Sequence, residues 1–345
     1  MTADAELVKL FKMVLELCKV KEQEVLAVLT ESGERDAYAR AYLAAAADRG
    51  AHAFQINLAK RAPLPGALNK QTSLTGNIPA LNALKQADIV IDLIGLLWSA
   101  EQKEIQEAGT RILMSREPVE VLTRMFPTRE RRRRVEAAEE RLAAARVLRV
   151  TSSAGTDVSY RLGAYPVITQ YGYTDQPGRW DNLSAGAFLF TGAHDDGVDG
   201  TVVIARGDLI FPFKRYVDAP IHLTIRRGRI ENIEGDGIDA HLLREYMRRY
   251  NDPRAYAISH IGWGMDESAQ WEFLGTNPVV AATSNGPDGR AYCGNVLFST
   301  GPNLELGGSN DTGCHLDIPL RGCDLYLDGE AVIEGGRLVP TELRP

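Results

Sequence analysis

Residues 309–327, SNDTGCHLDIPLRGCDLYL, carry the pattern around which the chain is organised, because two potential metal ligands stand two positions apart in a strand-like run. Apolar residues alternate after a glycine-containing lead-in, and side chains at positions i and i+2 of a strand project from the same face. We therefore expect His315 and Asp317 to point at one spot. A surface turn is the alternative for an H-x-D pattern, but a buried imidazole and carboxylate need partners, and a metal ion provides one.

His260 is the candidate for a second imidazole at that spot. It lies in residues 258–264, ISHIGWG, where an apolar run meets two glycines that favour close approach of the backbone. A core histidine bonded to a backbone carbonyl is the alternative interpretation. If His260 joins His315 and Asp317, the three side chains form a 2-His-1-carboxylate face, which leaves metal positions open and suits non-haem Fe(II) chemistry with dioxygen.

Length and composition narrow the class of protein. A chain of 345 residues can bury the core of two domains. A formal net charge of −7 argues against a general nucleic-acid binder, and the lack of an apolar run of eighteen residues argues against a membrane span. The N-terminal twenty residues are amphipathic and do not resemble a signal peptide. We therefore expect a cytoplasmic protein.

The four cysteines are expected to be reduced thiols in that compartment. Their positions form neither a C-x-x-C pair nor a zinc-ribbon spacing: Cys18, Cys293, Cys314 and Cys323. Cys314 precedes His315, so on a strand its side chain would face away from the proposed metal.

The first 150 residues alternate between helical and strand-like patterns, which predicts an α/β domain with a parallel sheet covered on both faces. The predicted helices are residues 6–20, 36–49, 79–85 and 100–108, and the predicted strands are residues 24–30, 53–58, 87–97 and 111–114.

After residue 150 the pattern changes to short β-like runs with many glycines and turn residues, which predicts a β-rich α+β metal-binding domain over residues 151–345. The clearest strand candidates are residues 200–205, 221–226 and 229–234, and a helix is expected near residues 240–250. Residues 177–181, PGRWD, are typical of a turn and are also candidates for lining a pocket for a planar aromatic substrate.

Two further motifs invite a phosphate-binding interpretation, and the pattern around each argues against it. Residues 31–36, ESGERD, follow the first predicted strand, but neither G-x-G-x-x-G nor G-x-x-x-x-G-K-[ST] occurs there. The arginine run 131–134 lies in a predicted helix, residues 128–148, whose Glu and Arg residues recur four apart. That spacing favours a solvated face or a subunit contact.

His194 is the candidate acid/base residue. It opens residues 194–197, HDDG, a pattern typical of a turn that needs no chemistry. His52, His222 and His241 have no carboxylate or cysteine at a convincing ligand spacing, and we expect them to be structural. No G-x-S-x-G elbow occurs, so a serine hydrolase has no positive support.

Six segments resemble the 2,5-dihydroxypyridine 5,6-dioxygenases of nicotinate degradation, and the likeness covers most of the chain. They are residues 107–127, 151–163, 176–186, 235–247, 258–266 and 307–330. That family is similar to the two-metal leucyl aminopeptidases of the aminopeptidase T type, so the resemblance implies a shared fold.

The resemblance also implies a change of metal site. The H-x-D pattern of the peptidases is retained at His315 and Asp317, and one peptidase Glu falls at His260. The segments that supply further peptidase ligands correspond to residues 185–187, which contain no carboxylate, and 294–301, which contain no histidine. A two-metal hydrolytic site would thereby become a single 2-His-1-carboxylate site.

The implied reaction is Fe(II)- and O2-dependent opening of 2,5-dihydroxypyridine between C5 and C6 to N-formylmaleamate, with His194 as the candidate base and a homo-oligomer as the expected assembly. Two alternatives stay open. A metal-dependent aminopeptidase or hydrolase of the same fold predicts two metals per chain and no oxygen uptake. An oligomeric binding protein with structural histidines predicts no metal at all.

Overall fold

The computed structural model describes residues 4–61 and 71–345, which fold as two compact units. The first contains residues up to Arg129 together with Tyr171–Ser184, and the second contains Glu130–Gln170 and Ala185–Pro345. The division into domains at residue 150 stays a prediction. In the structure, residues 130–150 belong to the second compact unit and residues 171–184 belong to the first.

The elements are numbered in chain order. The helices are α1 (Ala5–Leu17), α2 (Asp36–Ala47), α3 (Ile78–Lys85), α4 (Ala100–Glu107), α5 (Val119–Arg124), α6 (Arg129–Ala144), α7 (Ile238–Arg249), α8 (Phe273–Thr276), α9 (Pro278–Thr283) and α10 (Pro287–Arg290). The strands are β1 (Val25–Glu31), β2 (His52–Leu58), β3 (Ile89–Asp92), β4 (Arg111–Met114), β5 (Val147–Ser152), β6 (Asp157–Arg161), β7 (Ile168–Gln170), β8 (Trp180–Asn182), β9 (Phe188–Thr191), β10 (Val198–Ile204), β11 (Leu209–Ile210), β12 (Arg215–Tyr216), β13 (Ile221–Arg226), β14 (Arg229–Glu234), β15 (Ile258–Gly264), β16 (Val296–Thr300), β17 (Leu316–Leu320), β18 (Cys323–Leu327), β19 (Glu330–Glu334) and β20 (Arg337–Leu338).

The first unit is built on a five-stranded parallel sheet in the order β2-β1-β3-β4-β8. Strands β3 and β4 are buried along their whole length, as expected for a parallel sheet with both faces covered. On α1 the buried side chains recur at helical spacing, and Phe11 stacks on Tyr42 of α2 with ring centroids 3.8 Å apart. The predicted α/β character of this part is confirmed.

Strand β3 is shorter than the predicted run of residues 87–97. It ends at Asp92, whose carboxylate accepts hydrogen bonds from the backbone N–H groups of Ile94, Gly95 and Leu96 at 2.7–2.9 Å. The apolar run continues past the strand, but the backbone forms a loop after Asp92. The carboxylate oxygens of Asp92 stabilise that loop by accepting hydrogen bonds from its N–H groups. The hydrophobic pattern alone does not show that the strand ends at Asp92.

Strand β8 was not predicted. Residues 177–181 were expected to form a turn, yet Trp180–Asn182 adds an edge to the parallel sheet, with Ile112 opposite Trp180 and Leu113 opposite Asp181. A three-residue strand beside a Pro-Gly pair is too short to show a period of two.

The second unit is β-rich, as predicted. An eight-stranded antiparallel sheet has the order β14-β13-β10-β6-β5-β18-β19-β20, and a five-stranded antiparallel sheet has the order β17-β16-β15-β9-β7. Strands β11 and β12 form a separate ribbon. We call the five-stranded sheet the site sheet, because it carries the candidate metal ligands.

The charged helix α6 differs from its prediction in length and in exposure. It ends at Ala144, and β5 begins at Val147, inside the predicted helix. Arg131 and Arg134 are buried, and both bind the carboxylate of Glu267, at 3.0 and 2.7 Å. The interpretation of the arginine run as a solvated face is therefore wrong for these two side chains, because they pair with carboxylates that follow β15. Among the described residues, no helix is both long and apolar enough to cross a bilayer.

Candidate metal centre

Three neighbouring strands of the site sheet bring the candidate ligands together. Strand β16 lies between β15 and β17, with Phe298 opposite both Ile261 and Ile318, and Ser299 opposite Asp317. His260 on β15 and Asp317 on β17 therefore lie across one intervening strand. His315 directly precedes β17, two positions before Asp317, so the period of two places its side chain on the same face.

The ligand-type atoms of His260, His315 and Asp317 all lie within 4.8 Å of one another. Oδ1 of Asp317 is 3.4 Å from Nε2 of His260 and 3.3 Å from Nε2 of His315. The side chains of His260 and Asp317 are 4% and 8% exposed, and that of His315 is 22% exposed. The cluster is thus buried, and His315 is its most solvent-exposed side chain.

Arg290 fixes the carboxylate in this cluster. It is the last residue of α10, and its Nε donates a 2.6 Å hydrogen bond to Oδ2 of Asp317. Its guanidinium also stacks on the ring of Phe211, 4.5 Å from the centroid, and the backbone N–H of Phe211 donates to the carbonyl of Asp317. One carboxylate oxygen is therefore occupied, and the other faces the two imidazoles.

The charges of the cluster set two pKa values in opposite directions. Burial acts to raise the pKa of Asp317, but Arg290 and then His315 outweigh it and hold that pKa well below its usual range. Burial acts to lower the pKa of His315, but the Asp317 carboxylate outweighs it and raises that pKa. The carboxylate is therefore ionised and attracts positive charge to the point between the imidazoles.

The unsatisfied atoms at this point fit a cation. Oδ1 of Asp317 is buried, and no described residue donates a hydrogen bond of ordinary geometry to it. A buried ionised oxygen without a donor is costly. The distances of 3.3 and 3.4 Å from Oδ1 to the two Nε2 atoms are short enough for these three atoms to be ligands of one ion. The two imidazole nitrogens and Oδ1 are therefore suited to share one metal ion.

Several surrounding residues could not be identified from the sequence. Phe190 of β9 packs against the imidazole of His260, with ring centroids 4.4 Å apart. The Oγ atom of Ser299 and one carboxylate oxygen of Glu305 are buried without a hydrogen-bond partner among the described residues. No short motif connects these positions to the H-x-D pattern, because they come together only through the sheet and the loop that follows it.

The other candidates from the sequence lie outside the cluster. His194 is half-buried in a tight turn, where its carbonyl accepts a 2.7 Å hydrogen bond from the N–H of Gly197. The turn is thus as predicted, and a role for the His194 side chain stays a prediction. His52, His222 and His241 are exposed on β2, β13 and α7. Cys314 is buried next to His315 but is not part of the cluster.

Comparison with known proteins gives consistent results. A family model described as 2,5-dihydroxypyridine 5,6-dioxygenase matches residues 6–340. The curated 2,5-dihydroxypyridine 5,6-dioxygenase of Pseudomonas putida KT2440 is 45% identical over 347 residues, covering 99% of this chain and 98% of that protein. A solved structure of the dioxygenase from P. putida KT2440 covers 100% of both chains with a TM-score of 0.94 at 45% identity.

A more distant structure bears on the fold. Wild-type AmpT from Thermus thermophilus covers 97% of this chain and 99% of its own, with a TM-score of 0.55 at 16% identity. The predicted aminopeptidase T-like fold, a parallel-sheet α/β part followed by a β-rich part, is therefore confirmed.

Proposed function

Because the chain belongs to the 2,5-dihydroxypyridine 5,6-dioxygenase family, we propose that it opens the ring of 2,5-dihydroxypyridine between C5 and C6 with O2 to give N-formylmaleamate. The observation that carries the proposal is the meeting of two imidazoles and one carboxylate at a buried point of the site sheet. Both oxygen atoms of O2 enter the product, so the reaction needs no external reductant.

His260, His315 and Asp317 are the residues that would hold Fe(II). Two neutral nitrogen donors and one carboxylate form the donor set typical of non-haem ferrous oxygenases, and they leave metal positions for other ligands. When bound, a ferrous ion supplies the chemistry with O2 that protein side chains do not provide. Two-metal hydrolysis has less support, because the cluster supplies one carboxylate and two imidazoles.

Arg290 and Phe190 hold two of the proposed ligands, Asp317 and His260, in position. The hydrogen bond from Arg290 keeps Asp317 ionised and leaves Oδ1 turned toward the imidazoles. Hydrogen bonds from outer residues of this kind orient a ligand and tune its affinity for metal. Phe190 covers one side of His260, which excludes water and fixes the ring.

A proton-transfer group completes the proposal. The 5-hydroxyl of the substrate must lose its proton for the ring to become electron-rich, and a placed base typically contributes about 10²–10⁴-fold to such a step. His194 is the candidate. It follows the end of β9, and β9 pairs with the strand that carries His260.

The experiment is anaerobic reconstitution with Fe(II), followed by oxygen uptake with a panel of hydroxypyridines. We expect one iron per chain, one O2 consumed per 2,5-dihydroxypyridine, and N-formylmaleamate by mass spectrometry. Protein loaded with Zn(II) at the same stoichiometry is the control and should consume no oxygen. Two metals per chain with peptide hydrolysis and no oxygen uptake would refute the proposal in favour of an aminopeptidase.

A further inference from the structure

Phe211 connects the ribbon of β11 and β12 to the strand that carries Asp317. It directly follows β11, and its backbone N–H donates a 2.8 Å hydrogen bond to the carbonyl of Asp317. The residue is 3% exposed and packs in one apolar cluster with Leu209 and Trp271. The backbone of Phe211 therefore contacts a proposed metal ligand, and its buried ring is available for a second contact.

That second contact is with the guanidinium of Arg290. Cζ of Arg290 lies 4.5 Å from the centroid of the Phe211 ring, within the range of a cation–π contact. The arginine side chain is 24% exposed, and such a contact strengthens as the cation is removed from water. A guanidinium is planar, so an aromatic ring against its face limits its rotation. The orientation of that plane decides whether Nε points at Oδ2 of Asp317, its acceptor at 2.6 Å.

Two glycines make room for the ring on the segment that carries Arg290. A Cβ atom added at Gly286 would lie 2.6 Å from Cζ of Phe211, and one added at Gly289 would lie 3.0 Å from Cε2 of the same ring. Real Cβ atoms rarely approach other heavy atoms so closely. The ring is therefore closely packed against this segment and lies at a defined position beside the guanidinium.

Other side chains hold the backbone of that segment independently of the ring. Nδ2 of Asn295 donates to the carbonyl of Arg290 at 3.1 Å. Nζ of Lys214, between β11 and β12, donates at 2.8–3.1 Å to three carbonyls, those of Ala281, Ala282 and Ser284. Loss of the Phe211 ring should therefore release the guanidinium of Arg290 while the backbone that carries it stays in place.

We propose that Phe211 is a positioning residue of the metal centre. Its ring holds the guanidinium of Arg290 in the plane in which Nε donates to Oδ2 of Asp317, and this leaves Oδ1 directed at the two imidazoles. The inference rests on the proposed function to the extent that His260, His315 and Asp317 bind a metal ion. It does not depend on which ring is the substrate.

The first test is the Fe(II) dissociation constant of Phe211→Leu, measured anaerobically by competition with a ferrous chelator and without turnover. The substitution removes the ring and keeps the backbone hydrogen bond to Asp317. We expect metal binding about threefold to thirtyfold weaker than in wild type, the range that a cation–π contact contributes. In an Arg290→Gln background the same substitution should cause no further loss, because the ring acts through the guanidinium and the two effects are not additive.

The second test needs no metal. In the metal-free protein with 15N-labelled arginine, the Nε–H signal that disappears in Arg290→Gln should exchange slowly with solvent in wild type and faster in Phe211→Leu. Leu274→Ala is the matched control, because Leu274 packs against the same apolar cluster and an aliphatic side chain makes no cation–π contact. It should lower stability and leave both the metal affinity and the exchange rate unchanged. Circular dichroism checks the fold, and Phe211→Met replaces Phe211→Leu if that variant does not fold.

The outcomes separate this inference from the proposed function. Wild-type protein that binds no Fe(II) would refute the metal centre, and the exchange rate would then decide the role of Phe211 alone. An unchanged exchange rate in folded Phe211→Leu would overturn the inference. So would wild-type metal affinity in that variant, or an equal loss of affinity with and without Arg290→Gln.

Discussion

Asp92 and Asp317 are both buried aspartates at strand positions, and their surroundings differ in kind. Asp92 ends β3 in the parallel sheet and is fully buried, with three backbone N–H groups directed at its two oxygens. Asp317 lies in β17 of the site sheet, where Arg290 occupies one oxygen and the other, which faces the two imidazoles at 3.3–3.4 Å, has no ordinary hydrogen bond from the described residues. The hydrogen-bonding capacity of the Asp92 carboxylate is thus used by backbone N–H groups, whereas one oxygen of Asp317 remains available to a ligand.

The same contrast is visible in the two pKa values. Burial raises the pKa of Asp92 in spite of its three N–H donors, because backbone dipoles only partly replace water. At Asp317, burial is outweighed by Arg290 and His315, which lower the pKa. A buried carboxylate that is kept ionised and has one open oxygen is what a cation site requires, so the difference separates a structural group from a candidate ligand.

Asp317→Asn gives the largest expected effect. The amide keeps the shape but removes the charge, so we expect iron binding and ring opening to be lost while the fold persists. Iron per chain by atomic absorption and oxygen uptake measure this, and circular dichroism monitors the fold. Wild-type iron content in Asp317→Asn would remove the carboxylate from the proposed ligand set.

His194→Ala tests whether proton transfer depends on a residue outside the cluster. If His194 is the base, turnover should fall by about 10²–10⁴-fold and the pH–rate profile should flatten, while iron per chain is unchanged. Steady-state oxygen uptake between pH 5 and pH 9 measures both. An unchanged profile and turnover number would show that the His194 side chain has no role in catalysis and that residues 194–197 only form a turn.

Asp92→Ala addresses the other half of the comparison. It leaves three N–H groups of the loop without their acceptor, and each buried orphan donor costs about 1–3 kcal/mol, so we expect stability to fall by at least about 3 kcal/mol. Urea denaturation measures the loss, and Asp88→Ala, which removes a single 2.7 Å hydrogen bond to the N–H of Val25, is the matched control. A loss at Asp92 no larger than at Asp88 would contradict this account.

The sequence predicted the surroundings of Asp317 better than those of Asp92. The alternation around His315 and Asp317 predicted a shared face, because a period of two is local. The apolar run of residues 87–97 predicted a strand through Asp92, because hydrophobicity does not reveal that a carboxylate will cap its own loop. Arg290 was not identified, since it comes from a one-turn helix, Pro287–Arg290, that has no periodic pattern. Long-range pairing of polar groups therefore needs coordinates.

Arg290→Gln should weaken metal binding at the proposed centre without abolishing it. Loss of an outer residue that orients a ligand typically costs about 10–100-fold in metal affinity or activity. We expect a higher iron dissociation constant, with turnover partly restored at excess Fe(II), and Arg290→Lys should restore less than wild type because it lacks the planar fork. Competition with a ferrous chelator measures the affinity. A normal iron affinity combined with low turnover would instead place Arg290 in contact with the substrate.

Glu267 provides the intermediate case and the smallest expected effect. Like Asp317 it binds arginines, but each of its oxygens has a partner, Oε1 with Arg131 and Oε2 with Arg134. Burial acts to raise its pKa, but the two arginines outweigh it and lower that pKa to about 2. Since the folded-state pKa lies below the ordinary value, this group stabilises the protein above about pH 4.5, and the contribution is lost as the pH falls toward 2.

Glu267→Gln should therefore reduce stability by about 1–2 kcal/mol at pH 7, after allowance for the partial exposure of the carboxylate. The difference from wild type should shrink below pH 4, because protonation then removes the same charge in the wild type. Urea denaturation at pH 7 and pH 3 measures this, with Glu272→Gln, at an exposed pair with Arg321, as the control. Iron content should be unchanged, because pairing with arginine does not create a metal ligand unless one oxygen is left open.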